Sequence, residues 1–184
     1  MSWLAPVITL APDAEAIPLA VAKKHVRVLA EDTDEDDYIK DLIDAAVSHI
    51  ESVIGRFILD RRVERSTDSW SDLAALPMAP IRSLTISVDG VAVDAQVFDL
   101  DPDPFHPRAI LRPGQSWPSA PAGYSIKVEA EAGFADAIPA ELRQAALLLI
   151  GQWFRNRTPV AQARFVTELP NGVAALLVNH RRNL

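Results

Sequence analysis

Two acidic stretches, a basic triplet and four dispersed histidines are the residues of this chain that could do chemistry. The run Glu31 to Asp37 gathers carboxylates densely enough to invite a calcium reading, but it lacks the turning glycine of an EF-hand loop and the clamping glutamate at loop position 12. A helix start accounts for it better. Thr33 can cap the following helix, Asp36 stands at capping-box spacing, and the acids collect where the positive end of the helix dipole lies. The loop from Phe98 to Pro107 carries Asp99, Asp101, Asp103 and His106, which could surround a divalent ion, yet aspartates beside prolines are also what tight turns use. His25, His49, His106 and His180 are far apart in sequence. None belongs to an HExxH, a histidine cluster or a nucleophile motif, and His49 reads as a hydrogen-bonded structural residue. No GxSxG, GxxxxGK[ST] or GxGxxG is present. The reading is therefore no catalytic residue, no metal ligand and no cofactor, so not an enzyme. The enzymatic alternative is a small metal-dependent hydrolase using the aspartates of 31–37 or 99–103. Arg61, Arg62 and Arg65 suit either acids of a neighbouring subunit or the wet face of a strand, and no aromatic stacking pattern accompanies them to suggest nucleic acid.

Composition narrows the classes further. The chain has 184 residues, is 49% hydrophobic, contains no cysteine and carries a formal net charge of -7. That size fits one globular domain with long surface segments. Disulfides and thiolate metal sites are excluded. The opening MSWLAPVITLAP has no basic leader and is broken by Pro6 and Pro12, and no later apolar run is long enough to span a bilayer, so neither export by that route nor a membrane location is expected. Net negative charge opposes adhesion to nucleic acid, whose binding draws on cations that release counterions.

The elements that must position these residues are led by Pro139–Arg157. Leu142, Ala146, Leu149 and Trp153 recur at helical spacing, and Ala145, Leu148 and Ile150 widen the stripe, which predicts a central helix covered on two or more sides. Trp153 and Phe154 continue that stripe and are assigned to the core. Gly151 inside it costs about 1 kcal/mol relative to alanine and so predicts close approach of a partner helix. A second core helix is expected over Asp34–Ile54, ended by Gly55. A short one is expected within Ile17–Leu29, with Lys23, Lys24, His25 and Arg27 on its solvated surface. Strands are expected at 63–67, 84–88 and 91–93 around an Asp89-Gly90 hairpin turn, and at 97–100, 109–111 and 124–130. The prolines between them predict a loop-heavy sheet serving as a contact surface, not a core.

The expected fold is mainly α with a small antiparallel β insertion (α+β), built on a helical core of two long helices plus short helices, with extended termini. It is one domain, 1–184: an extended N-terminal segment 1–16, helices over 17–59, a β-rich, proline-rich insertion over 60–134, the central helix 138–157 and a C-terminal arm 158–184.

The order of parts carries a resemblance. PLAVAKKHVRV at Pro18–Val28, IPAELRQAALLLIGQWFRNR at Ile138–Arg157 and LPNGVAALLVNHR at Leu169–Arg181 are similar to segments of the head-tail connector, or adaptor, proteins of long-tailed bacteriophages and of phage-derived gene transfer agents. The resemblance implies a structural protein of the virion neck, assembled in the bacterial cytoplasm. It would form a homo-oligomeric ring, a dodecamer matching the portal protein's twelvefold symmetry. Its C-terminal arm would dock on the portal, a stopper or other tail-side neck protein would sit on the opposite face, and DNA would pass through the lumen without specific binding. Another neck role, stopper or tail terminator, is the alternative within the same class. For portal docking the arm offers Phe165, Val166, Leu169, Val173, Leu176, Leu177 and Arg181, apolar anchors with no visible core of their own in the sequence.

Overall fold

The computed structural model describes residues 3–8, 16–119, 123–134, 138–157 and 171–182. They form two compact units. One takes in residues 3–8, 59–119, 123–134 and 182, and the other residues 16–58, 138–157 and 171–181.

The second unit is helical, with α1 (Leu19–Val26), α2 (Asp36–Ile54), α3 (Ala140–Arg155) and α4 (Asn171–Leu177), the last followed by a 3-10 turn at Val178–His180. α3 packs against each of the other three. Its buried side chains, Leu142, Ala145, Ala146, Leu147, Leu149 and Ile150, occupy more than one stripe, as the sequence requires of a helix covered on several sides. Pro139 stands at its N-cap, one position outside the expected first turn. α2 buries Ile39, Leu42, Ile43, Ala46, Val47, Ile50 and Ile54 along one seam and ends at Gly55 in the left-handed conformation. Its N-cap is Glu35, not Thr33, and no side chain caps it. Trp153 and Phe154 are half-buried. Trp153 meets His49 edge-on at 6.1 Å, while Phe154 shares the Arg157 guanidinium with Tyr38, the cation lying 4.6 and 4.7 Å from the two ring centres. Arg157 also pairs with Glu35 at 2.9 Å, which ties the chain just past α3 to the N-cap of α2.

The first unit is built on antiparallel sheets. β1 (Val7–Ile8), β2 (Arg61–Thr67), β3 (Ile81–Val88), β4 (Val91–Ala92) and β7 (Ile126–Ala132) form a five-stranded sheet in the order β1-β2-β7-β3-β4, and β5 (Phe98–Asp101) pairs with β6 (Arg108–Leu111). Alternation divides the large sheet cleanly. Ile126, Val128, Ala130 and Ala132 of β7 are buried, as are Val63 and Thr67 of β2 and Ile86 of β3. The other face is a polar ladder in which Lys127 pairs with Glu64 at 2.8 Å and Glu129 at 3.2 Å, and Arg62 approaches Glu131 at 3.9 Å. Asp89 and Gly90 take positive φ at the expected hairpin turn. Trp117 stacks on Trp70 at 4.8 Å with an interplanar angle of 4°, and Phe98 lies 5.8 Å from Trp117.

This corrects the expected fold class. Among the described residues there are four α-helices and seven strands in two antiparallel sheets, so the fold is not mainly α and the strand region is not a minor insertion. The prolines misdirect the sequence reading. Pro77 and Pro80 precede β3, Pro102, Pro104 and Pro107 lie between or beside β5 and β6, and Pro113 and Pro118 precede β7, so they delimit strands without interrupting any. β7, free of proline, hydrogen-bonds along its length to β2 on one side and β3 on the other and carries a buried face of its own.

Candidate interaction site

Of the residues expected to dock a partner, Phe165, Val166 and Leu169 lie outside the described residues. The other four fall on the segment around α4. Val173 and Leu177 are 0% exposed and belong to the helical core, Leu176 is half-buried and Arg181 is exposed. The segment is held at its end by polar contacts as well: the buried Arg56 donates through Nη1 to the His180 carbonyl at 3.5 Å, and His180 Nε2 lies 3.6 Å from Glu141 Oε2. Two apolar side chains thus fix α4 in the unit, and Leu176 and Arg181 are left as its outward groups.

The acidic run 31–37 is organised by a lysine that the sequence reading put on a solvated face. Lys23 is 4% exposed, and its ammonium donates to the Ala30 carbonyl at 3.1 Å, the Asp32 carbonyl at 2.5 Å and Asp36 Oδ1 at 2.7 Å. A buried ammonium needs such a set, because its three protons lose water on burial. The turn before α2 is therefore pinned through its backbone, and Glu31, Asp32 and Asp34 point into solvent. The available signal was Ala22 and Val26, which place Lys23 at the edge of the apolar stripe of α1, with an acidic run following closely.

The second acidic stretch is a set of turns and cross-strand pairs. Asp103 Oδ1 accepts the N–H groups of Phe105 at 2.8 Å and His106 at 2.7 Å, and these bonds hold its carboxyl below the usual aspartate range. Asp99 is lowered by the guanidinium of Arg112, which reaches its Oδ1 at 2.7 Å, and Asp101 pairs with Arg108 at 2.9 Å. Each aspartate already has a partner, and among the described residues no group of three His, Asp or Glu side chains could hold a metal ion.

A second basic feature separates the triplet 61, 62 and 65. Arg61 and Arg62 lie at the start of β2, but Arg65 shares the inward face with Val63 and Thr67, opposite Val128 of β7. Its Nε is buried and has no hydrogen-bond partner. Arg182 behaves alike: Nη2 donates to the Leu76 carbonyl at 2.6 Å, while Nε is buried and unpartnered. Burial lowers the pKa of both arginines, and for Arg182 the positive charge of Arg65 lowers it further. Among the described residues neither pairs with a carboxylate. Beside them, the Leu4 N–H donates to the Ser66 carbonyl at 2.9 Å, and the indole Nε1 of the adjoining Trp3 is a further buried donor without an acceptor. Strand alternation in Val63-Glu64-Arg65-Ser66-Thr67 already puts Arg65 on the apolar side, whereas nothing in the sequence joins it to Arg182.

No helix among the described residues is long and apolar enough to cross a membrane. No protein-family model and no curated protein matches the chain. Solved structures do match. A chain in the neck of an empty gene transfer agent particle with C6 symmetry aligns with a TM-score of 0.80 at 25% identity, covering 98% of this chain and 97% of that one. A chain in the virion of a native gene transfer agent particle aligns with the same score, identity and coverage. A chain in the neck of the native particle with C12 symmetry shares the fold at a TM-score of 0.78 and 24% identity.

Proposed function

We propose that this chain is a non-enzymatic structural component of the neck of a tailed, phage-like particle, and that within the neck it serves as the head-tail adaptor. It forms a ring beneath the portal, receives a stopper or other tail-side protein on its opposite face, and lets DNA pass without binding it. The observation that carries the reading is the near-complete overlap, 98% of this chain and 97% of the other, with a neck chain of a gene transfer agent particle at 25% identity. The chemistry agrees. The aspartates of 99–103 are used up in turns and ion pairs, and a net charge of -7 suits a wall that DNA slides past. Docking on the portal falls to the segment from 158 onward. Val173 and Leu177 fix α4 there, and Leu176 and Arg181 are its outward contacts among the described residues.

Particles from cells lacking the gene test the reading by negative-stain microscopy. DNA-filled heads without tails are expected, and tails joined normally would overturn it. Crosslinking to the portal separates an adaptor from a stopper or tail terminator.

A further inference from the structure

The sheet unit holds together two arginines, Arg65 and Arg182, whose Nε groups are buried with no acceptor among the described residues, and the segment that leads into β1 and bonds Ser66 through the Leu4 N–H carries the buried, unpartnered indole N–H of Trp3. Buried donors are almost always satisfied, and two cations brought together repel each other unless an anion joins them, so the described residues leave this arrangement short of an acceptor. A carboxylate is the matching group, since a planar guanidinium offers it two parallel donors. The same chain carries a suitable carboxylate source. Glu31, Asp32 and Asp34 are exposed, no side-chain cation pairs with them among the described residues, and Lys23 clamps the backbone of their turn through the Ala30 and Asp32 carbonyls. The acids are thus presented in a fixed arrangement, which lowers the ordering cost of inserting them into a site.

We propose that Arg65 and Arg182 are the receiving half of a head-to-tail contact between copies of this chain, and that the acidic turn of the neighbouring copy, Glu31 to Asp34, is the inserting half. A second copy is favoured over a phosphate or a chance acidic protein because a ring would bring copies of this chain side by side, each presenting the same fixed acidic turn at high local concentration. Different patches on one chain make a heterologous contact, and repetition of that contact by rotation closes a ring. The inference rests on the neck-ring reading and names the contact that builds the ring.

Charge exchange tests it in particles made by cells whose own copy of the gene is deleted and replaced. The variants are Arg182→Glu, the pair Glu31→Arg with Asp34→Arg, and the combination of all three, with incorporated chain measured by quantitative mass spectrometry and folding of each purified chain checked by thermal melting. Each charge reversal alone should lower incorporation at least about tenfold, and the combination should recover it to within about twofold of the parent, because complementary charges across an interface are strongly coupled. Folded single variants that enter particles at the parental level overturn the proposal. So does a loss in Arg182→Glu that the reversed turn does not restore, which would mean that the carboxylate belongs to another neck protein. If Arg182→Glu does not fold, Arg182→Gln keeps a donor for the Leu76 carbonyl and must show the same loss; normal incorporation of that variant also overturns the contact. Absence of the parental chain from the neck would instead defeat the neck reading itself.

Discussion

Lys23 and Asp36 form an ion pair at 2.7 Å with unequal access to water, their side chains being 5% and 22% exposed. That inequality predicts an order of mutational cost. Removing one partner of a buried pair costs about 3–5 kcal/mol, most of it from the charge left behind. In Lys23→Met the group left behind is the Asp36 carboxylate, which is partly wet and can hydrate, while the thioether chain fills the space of the lysine stem. In Asp36→Ala it is the ammonium, still buried and neutralised only by the dipoles of the Ala30 and Asp32 carbonyls. Chemical denaturation should therefore find Asp36→Ala the more destabilising of the two, by about 1 kcal/mol or more, with Lys23→Met below the range for a fully buried pair. Equal costs, or the reverse order, would mean that water reaches Lys23 and that the acidic turn is not clamped by it.

At the scale of elements, two glycines occupy tight places for different reasons and should respond differently to alanine. Gly133 follows the end of β7 with φ +126°, and a Cβ there would sit 2.4 Å from the Leu59 carbonyl oxygen. Both the backbone conformation and the collision oppose any side chain, and the obstacle is main chain that cannot step aside. Gly133→Ala should cost about 3 kcal/mol or more in urea unfolding. Gly151 lies inside α3, where a Cβ would come 3.0 Å from the His25 ring of α1, the far end of a side chain that can rotate. Alanine gains about 1 kcal/mol of helix propensity there and loses a comparable amount to the shifted imidazole. Gly151→Ala should be neutral within about 1 kcal/mol, and in a His25→Ala background it should become stabilising. The close approach at Gly151 was legible because a glycine in the middle of an apolar helical stripe has few other uses. Helix ends were legible to within a few residues for the same local reasons: Gly55 terminates α2, and the Arg157–Thr158–Pro159 stretch follows α3. The weight of the sheet was not legible, because the length of β7 and its double pairing depend on β2 and β3, which are distant in sequence. The burial of Val173 and Leu177 escaped for a related reason. A seven-residue helix has no stability of its own, and its packing against α3 and α2 shows where its apolar side lies. Lys23 reads as a solvated base in the sequence because charge alone does not reveal a ring of carbonyl acceptors, and Arg65 stays open there between a neighbouring subunit and solvent although strand alternation places it with Val63 and Thr67.

For the whole molecule, the proposed ring would have to overcome the repulsion between copies that each carry a charge of -7. Two electrostatic effects compete, and salt separates them. Diffuse repulsion acts across solvent over tens of ångströms at low ionic strength and fades once the Debye length falls to about 8 Å near 0.15 M. A guanidinium–carboxylate contact built on buried donors is shielded from mobile ions and keeps most of its strength over the same range. Raising salt from about 0.02 to 0.3 M should then strengthen self-association of the purified chain, because the term that opposes assembly is the one that salt removes. Sedimentation velocity over a concentration series would read this as a rise in weight-average sedimentation coefficient with salt in the parent. The rise should be far smaller in Arg182→Glu, which keeps the repulsion but lacks the short-range contact. Dissociation on adding salt would show the opposite balance: exposed ion pairs of the kind on the polar sheet face, Lys127 with Glu64 and Glu129, would be holding copies together, and a buried arginine contact would not be the main attraction.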